Sequence, residues 1–216
     1  MARIKGIETL RLSDMEQNLD LYAGLSDGLI QLDCPDVISI WYVNYKIPEV
    51  VEELTKNICY GQRLYLARDE EDDIGLMQRI VSGFYYPIIK KTKWDEEKAL
   101  LFQKKVLTCK VKEIYPVTMH LVNLISEMAE AEKKLLHREP SKMERAAGID
   151  KLTVFSELNS LDFLRDAMKI TVEEVLLTPY EECLVRYLNA KELADFNERY
   201  FKLLKEEKPD KKSKYK

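Results

Sequence analysis

The sequence predicts an all-α protein, an irregular multi-helix bundle with room for one small β-hairpin in its N-terminal half. Three observations carry this. Ser or Thr followed three residues later by Glu, the form of a capping box, occurs at Ser13–Glu16, Ser141–Glu144, Thr171–Glu174 and Thr178–Glu181; its reciprocal hydrogen bonds satisfy orphan donors at a helix start. Long stretches place apolar residues three and four apart, the period of a one-sided helix. Gly and Pro number only 7 each among 216 residues, which argues against collagen-like, low-complexity and turn-rich all-β chains.

Taken in order, Arg3–Leu12 is short and strand-like. A first helix is expected over about 14–24, where Met15, Leu19, Tyr22 and Ala23 share a face. Helices follow over about 36–44, 48–59, 72–86 and 95–109. In the 72–86 helix Ile74, Met77, Ile80, Val81 and Phe84 form the apolar side. Gln62–Ala67 alternates polar and apolar residues through Arg63-Leu64-Tyr65-Leu66 and reads as a short strand. From Pro116, Val117, Leu121, Leu124, Ile125, Met128, Ala131 and Leu135 predict an amphipathic helix of about 22 residues, close to 33 Å at about 1.5 Å per residue. Shorter elements cover Ser141–Ala147, stopped by Gly148, then 152–158 and 161–168. The last helix carries Cys183, Leu184, Tyr187, Ala190, Ala194, Phe201 and Leu204 near one stripe, widened by Leu193, Phe196, Tyr200 and Leu203. Pro179 at its first position has no N–H to waste, and Pro209 is a stop.

Arg138-Glu139-Pro140 suggests a boundary between an N-terminal helical part, 1–139, and a C-terminal helical part, 140–208. Residues 209–216 are expected to be a disordered basic tail. From Lys208 to Lys216 there are five Lys and one Asp, or +4, so the remainder carries −8 of the net −4. An acidic body repels nucleic acid at long range. The segment 158–176, drawn as a helix-turn-helix, offers carboxylates from Thr171-Val-Glu-Glu where base readout favours Arg, Lys, Asn and Gln. Nucleic acid is therefore disfavoured as a partner, and a tail-dependent nucleic-acid factor stays a subordinate alternative.

Hydrophobic residues make up 46% of the chain and charged residues 33%, enough apolar material for a core. The longest apolar run, Val37–Val43, is broken by Ser39 and is far short of the roughly 20 residues a membrane helix needs. Met1–Leu10 has no apolar block of signal-peptide type. Cys34, Cys59, Cys109 and Cys183 are widely spaced and sit among apolar neighbours, so buried free thiols in a reducing cytosol are expected. With only His120 and His137 beside them, no zinc set forms, and no metal or cofactor is expected.

Nucleotide-binding glycine motifs, nucleophile elbows, zinc-protease motifs and EF-hand loops are absent from the sequence. Asp69–Asp73 is an acidic run at the start of a helix, where negative charge is favoured. An enzyme using Asp72, Asp73 and His120 remains an alternative, but the chain is expected to be non-enzymatic. Its unusual asset is aromatic: 12 Tyr, 6 Phe and 2 Trp. Consecutive aromatics at one helix end are not expected to fit into one core, so Phe84, Tyr85, Tyr86 and Trp94, with Tyr180 and Tyr187, are the candidate partner contacts.

The stretch Ala147-Gly148-Ile149-Asp150-Lys151-Leu152, then Leu158–Leu161, then Glu174-Val175-Leu176-Leu177-Thr178-Pro179-Tyr180, followed by the Tyr187–Tyr200 helix, resembles bacteriophage tail assembly chaperones and related small helical virion-assembly proteins. The match covers about 147–200. The resemblance implies a protein of the bacterial host cytoplasm during particle assembly, retained in the virion or not. Its partners would be other proteins, a phage structural or tape-measure-like protein or a second copy of itself. The family supplies no catalytic residues.

Overall fold

The computed structural model describes residues 10–16, 32–49, 51–68, 72–140 and 142–206. It is mostly helical, with one antiparallel hairpin. In chain order the elements are α1 (Leu12–Glu16), β1 (Val37–Ile40), β2 (Val43–Lys46), α2 (Val51–Asn57), α3 (Tyr60–Leu66), α4 (Asp73–Lys90), α5 (Glu96–Val106), α6 (Val111–Leu136) and α7 (Lys142–Ala146). A 3-10 helix, Ile149–Phe155, then leads into α8 (Ser156–Met168), α9 (Val172–Leu177) and α10 (Tyr180–Glu206).

Two expected elements change type. The helix expected over 36–44 is the hairpin, with Val37 opposite Lys46 and Ile40 opposite Val43. Alternation decides it: Ile38 and Ile40 turn inward and are fully buried, while Val37 and Ser39 face out. The strand expected over 62–67 is α3, a helix too short to display a period. The strand expected over 3–12 lies mostly outside the described residues; Arg11 makes an isolated bridge with Lys110, and Leu12 already begins α1. Most of the helix expected over 14–24 and the tail 209–216 also lie outside them.

α4 is the axis of the core, packed by α3, α5 and α6. Consecutive helical residues step by about 100°, so burying Phe84, Tyr85 and Tyr86 together requires neighbours around more than half of the helix. Those neighbours exist. Tyr86 faces Trp94 and Phe102, with ring centroids 6.3 and 6.1 Å away. Tyr85 faces Tyr45 of the hairpin at 5.8 Å, and its hydroxyl donates to the Lys46 carbonyl. Of Phe84, Tyr85, Tyr86 and Trp94, some of which are expected to reach the surface or a second interface, the three rings of α4 are buried, and Trp94 is the one left half-buried.

Pro87 interrupts α4 without ending it. Lacking an N–H, it leaves the Gly83 carbonyl without its partner four residues on. The buried Gln62 takes that place: its Nε2 donates to Gly83 O at 3.0 Å, while its Oε1 accepts from Cys59 N at 3.0 Å. One amide therefore starts α3 and repairs α4.

The chain does not separate into two cores at Pro140. Leu164, Val175, Tyr180 and Cys183 belong to the same buried cluster as Ile58, Tyr60 and Leu121. The α2–α3 and α9–α10 junctions are laced by Tyr60 N donating to Thr178 O at 2.9 Å and Tyr180 N to Ile58 O at 3.0 Å. Arg63 makes a two-pronged pair with Glu132 that joins α3 to α6. Gly148, with φ of +85°, occupies the left-handed conformation that ends the α7 segment, as expected of a glycine stop.

Candidate protein-docking surface

α10 has 27 residues, yet only Tyr180 and Cys183, in its first turn, are fully buried. Tyr187, one turn further, stacks on Phe163 with centroids 5.2 Å apart, donates to Ser160 O and shares a hydroxyl contact with Tyr60. Burial, with the Tyr60 hydroxyl next, pushes the Tyr187 phenol up. Burial, then the Glu132 carboxylate, does the same to Tyr180. These rings fasten the proximal end of α10 to the body.

Beyond Ala190 the attachments become polar. Lys191 Nζ donates to the Leu135 carbonyl at 2.6 Å. Arg138 reaches Glu198 at 3.1 Å, Asp195 at 4.0 Å and Glu144 at 3.3 Å, all partly exposed pairs. Exposed pairs of this kind contribute about 0–1 kcal/mol each, so they orient the helix without burying it. From Glu192 to Glu206 only Asp195 and Leu204 are less than exposed. Here Leu193, Phe196, Tyr200 and Leu203 follow a 3-4-3 spacing, which on a helix makes one continuous stripe. They are 58, 54, 48 and 59% exposed, and Phe201 beside them is 59% exposed. Phe196 and Tyr200 stack at 6.0 Å. Nothing among the described residues covers the stripe.

Of the six aromatic residues expected to contact a partner, Phe84, Tyr85, Tyr86 and Tyr180 are buried, and Trp94 and Tyr187 are half-buried. A rigid partner does not reach the four buried rings. Exposed aromatic rings lie instead at Phe196, Tyr200 and Phe201, residues whose stripe was visible in the sequence, at Trp41 and Tyr42 of the hairpin, which sequence reading placed inside a helix, and singly at Phe155 at the end of the 3-10 helix.

The alternative enzyme residues are dispersed into structural tasks. Asp72 caps α4, its carboxylate accepting from Gly75 N at 2.6 Å. His120 contacts the Pro48 carbonyl through Nε2 at 3.0 Å. Among the described residues, no three His, Cys, Asp or Glu side chains converge as metal ligands would. Cys109 and Cys183 are buried, their thiols pushed up by burial to about 12 and about 11. Among the described residues no helix is long and apolar enough to cross a membrane.

No protein-family model, curated protein or solved structure matches this chain.

Proposed function

We propose that this protein is a non-enzymatic interaction factor that docks another helical polypeptide on the distal half of α10, and that its setting is bacteriophage particle assembly, tail or head–tail, in the host cytoplasm. The single observation behind this reading is the stripe Leu193, Phe196, Tyr200 and Leu203 on a helix end that no other described residue covers. A contiguous apolar face of this kind marks an interaction site, and an amphipathic partner helix is the complement its spacing fits. The resemblance to tail assembly chaperones over 147–200 runs into this same helix and supplies the partner class, a phage structural or tape-measure-like protein. Acting as a chaperone, the stripe would cover a partner's apolar helix until assembly; acting as a virion component, it would stay bound.

The experiment is co-purification of the protein with the helical products of neighbouring virion genes, comparing wild type with Phe196→Ser/Tyr200→Ser. Half of an aromatic side chain is about 100 Å², worth about 2.5 kcal/mol at about 25 cal/mol per Å². The double variant should therefore lose at least a hundredfold in affinity while its melting temperature is unchanged. Retained binding, or no binding by wild type to any such product, sinks the reading.

A further inference from the structure

The turn between β1 and β2 consists of Trp41 and Tyr42, with φ of +51° and +71°. A two-residue hairpin turn with both residues in the left-handed region is normally made by Asn-Gly, because a side chain there is strained. This turn places two large aromatics in that conformation and then leaves them outside: Tyr42 is 93% exposed and Trp41 57%. Strain of this kind, kept where it adds nothing to the core, points to a function for the exposed rings. The surroundings are basic. Lys105 Nζ sits 3.6 Å from the Trp41 ring centroid, with Lys90 close by. In the cleft beneath the turn Arg11 lies beside Lys110, which Glu113 neutralises at 3.4 Å, so the positive charge the turn carries outward is that of Lys105 and Lys90.

At the other end of α5 the surface reverses. A groove of about 430 Å³ runs between α3, α5, α8 and α9. Its apolar lining is Leu64, Trp94, Leu161 and Leu176, and its rim carries Glu97, Glu157 and Glu173. None of these three carboxylates has an ion pair among the described residues, whereas Glu96 beside them is neutralised by Arg68. Each lies in the first turn of a helix, where the dipole favours it, so the convergence of negative charge is compatible with the fold. At Gly61 a Cβ would stand 3.0 Å from both the Leu176 carbonyl and the Trp94 ring, so the absence of a side chain there sets the close approach of α3 to α9 and Trp94.

We propose that the Trp41–Tyr42 turn of one copy seats in the Leu64–Trp94–Leu161–Leu176 groove of a second copy, its lysines facing the Glu97, Glu157 and Glu173 rim. The two surfaces are complementary in charge, and one offers protruding rings where the other offers an apolar recess. They lie at opposite ends of α5, about 15 Å apart along an 11-residue helix, so one molecule cannot satisfy itself by this route. Contact between unlike surfaces is head-to-tail, and it propagates into chains or closes into rings. This interface uses no residue of the α10 stripe, so it stands or falls separately from the reading above.

The experiment is light scattering and sedimentation of the full chain from micromolar to submillimolar concentration. Wild type should show a mass that rises with concentration and falls back as salt is raised. Trp41→Asn/Tyr42→Gly supplies the favoured turn, so it should melt no lower than wild type yet stay at single-chain mass. Glu157→Lys/Glu173→Gln should also stay at single-chain mass. Mixed together, the two variants retain one intact surface each and should form a 1:1 pair that grows no further. A wild type that remains at single-chain mass throughout, turn or groove variants that associate like wild type, or a mixture that forms no pair, each overturns the proposal. Phe196→Ser/Tyr200→Ser should self-associate like wild type, which separates failure of this interface from failure of the α10 surface.

Discussion

Gln62→Leu is the sharpest test of how the core is held. The side chain is 5% exposed, and both ends of its amide are engaged, one with Cys59 N and the other with Gly83 O. Leucine fills a similar volume but leaves a part-buried donor and a buried acceptor unsatisfied. Each such group costs about 1–3 kcal/mol, and added apolar burial returns about 1 kcal/mol. A net loss of about 3 kcal/mol corresponds to about 6–12 °C in melting temperature for a chain of this size. Thermal and urea unfolding followed by circular dichroism would measure it. The cause is separable from the size of the effect. Pro87→Ala restores an N–H in line with Gly83 O, so in that background Gln62→Leu should cost less by about 1 kcal/mol or more. An unchanged melting temperature in the single variant, or strict additivity in the cycle, would refute the link between Gln62 and the proline.

Other substitutions discriminate buried hydroxyls that bond from one that does not. Tyr65 shares a hydrogen bond with Ser82 Oγ and accepts from Gln103 Nε2, so Tyr65→Phe should lose about 1–2 kcal/mol. The Tyr86 hydroxyl is buried with no hydrogen-bond partner among the described residues, so Tyr86→Phe should be neutral or stabilising by urea titration. A thiol reagent near pH 8 should modify Cys34 first and Cys59 more slowly, while Cys109 and Cys183 react only on unfolding; rapid modification of all four contradicts the packing. Burial raises Cys109, Cys183, Tyr85, Tyr180 and Tyr187 above their ordinary values of 9.0 for the thiols and 10.0 for the phenols. Groups so raised contribute stability that is fully present below the ordinary values and is lost as pH rises through the folded ones. Melting temperature should therefore be level near neutrality and fall from about pH 9 toward pH 12 as these groups titrate in the unfolded chain; a level profile up to pH 11 contradicts it.

Helices with a long apolar period were legible in the sequence. α4, α5, α6 and α10 appear near their expected places because their stripes extend over three or more turns and tertiary context did not need to choose among conformations. Short elements were not. α3 has only seven residues; its start is capped by Gln62 accepting from Cys59 N, and the other end of the same amide answers the Gly83 carbonyl, 21 positions on, that Pro87 leaves free. The hairpin was hidden because Trp-Tyr is not a turn signal; only the geometry reveals that both residues sit in the left-handed region.

The capping forms divide the same way. Thr171 and Glu174 make the expected reciprocal bonds. Thr178 instead donates back to the Glu174 carbonyl, leaving Pro179 as the residue whose carbonyl starts α10. At the first helix Asp14 accepts from Arg11 N, and Ser13 lies inside α1; Ser141 lies outside the described residues. For the docking surface, the sequence identified aromatic clusters but not their orientation. Three adjacent rings look like a surface until α4 proves to be enclosed, while the stripe at the end of α10 looks like core until no neighbour among the described residues meets it.

Hydrogen exchange along α10 tests the central claim most directly. With packing confined to its first turns, amides of residues 183–188 should be strongly protected, and those of 193–206 should exchange orders of magnitude faster, slowing only when a helical partner is added. Uniform, strong protection along the whole helix in the free single chain would mean that Leu193, Phe196, Tyr200 and Leu203 are already covered, and the docking surface would not exist.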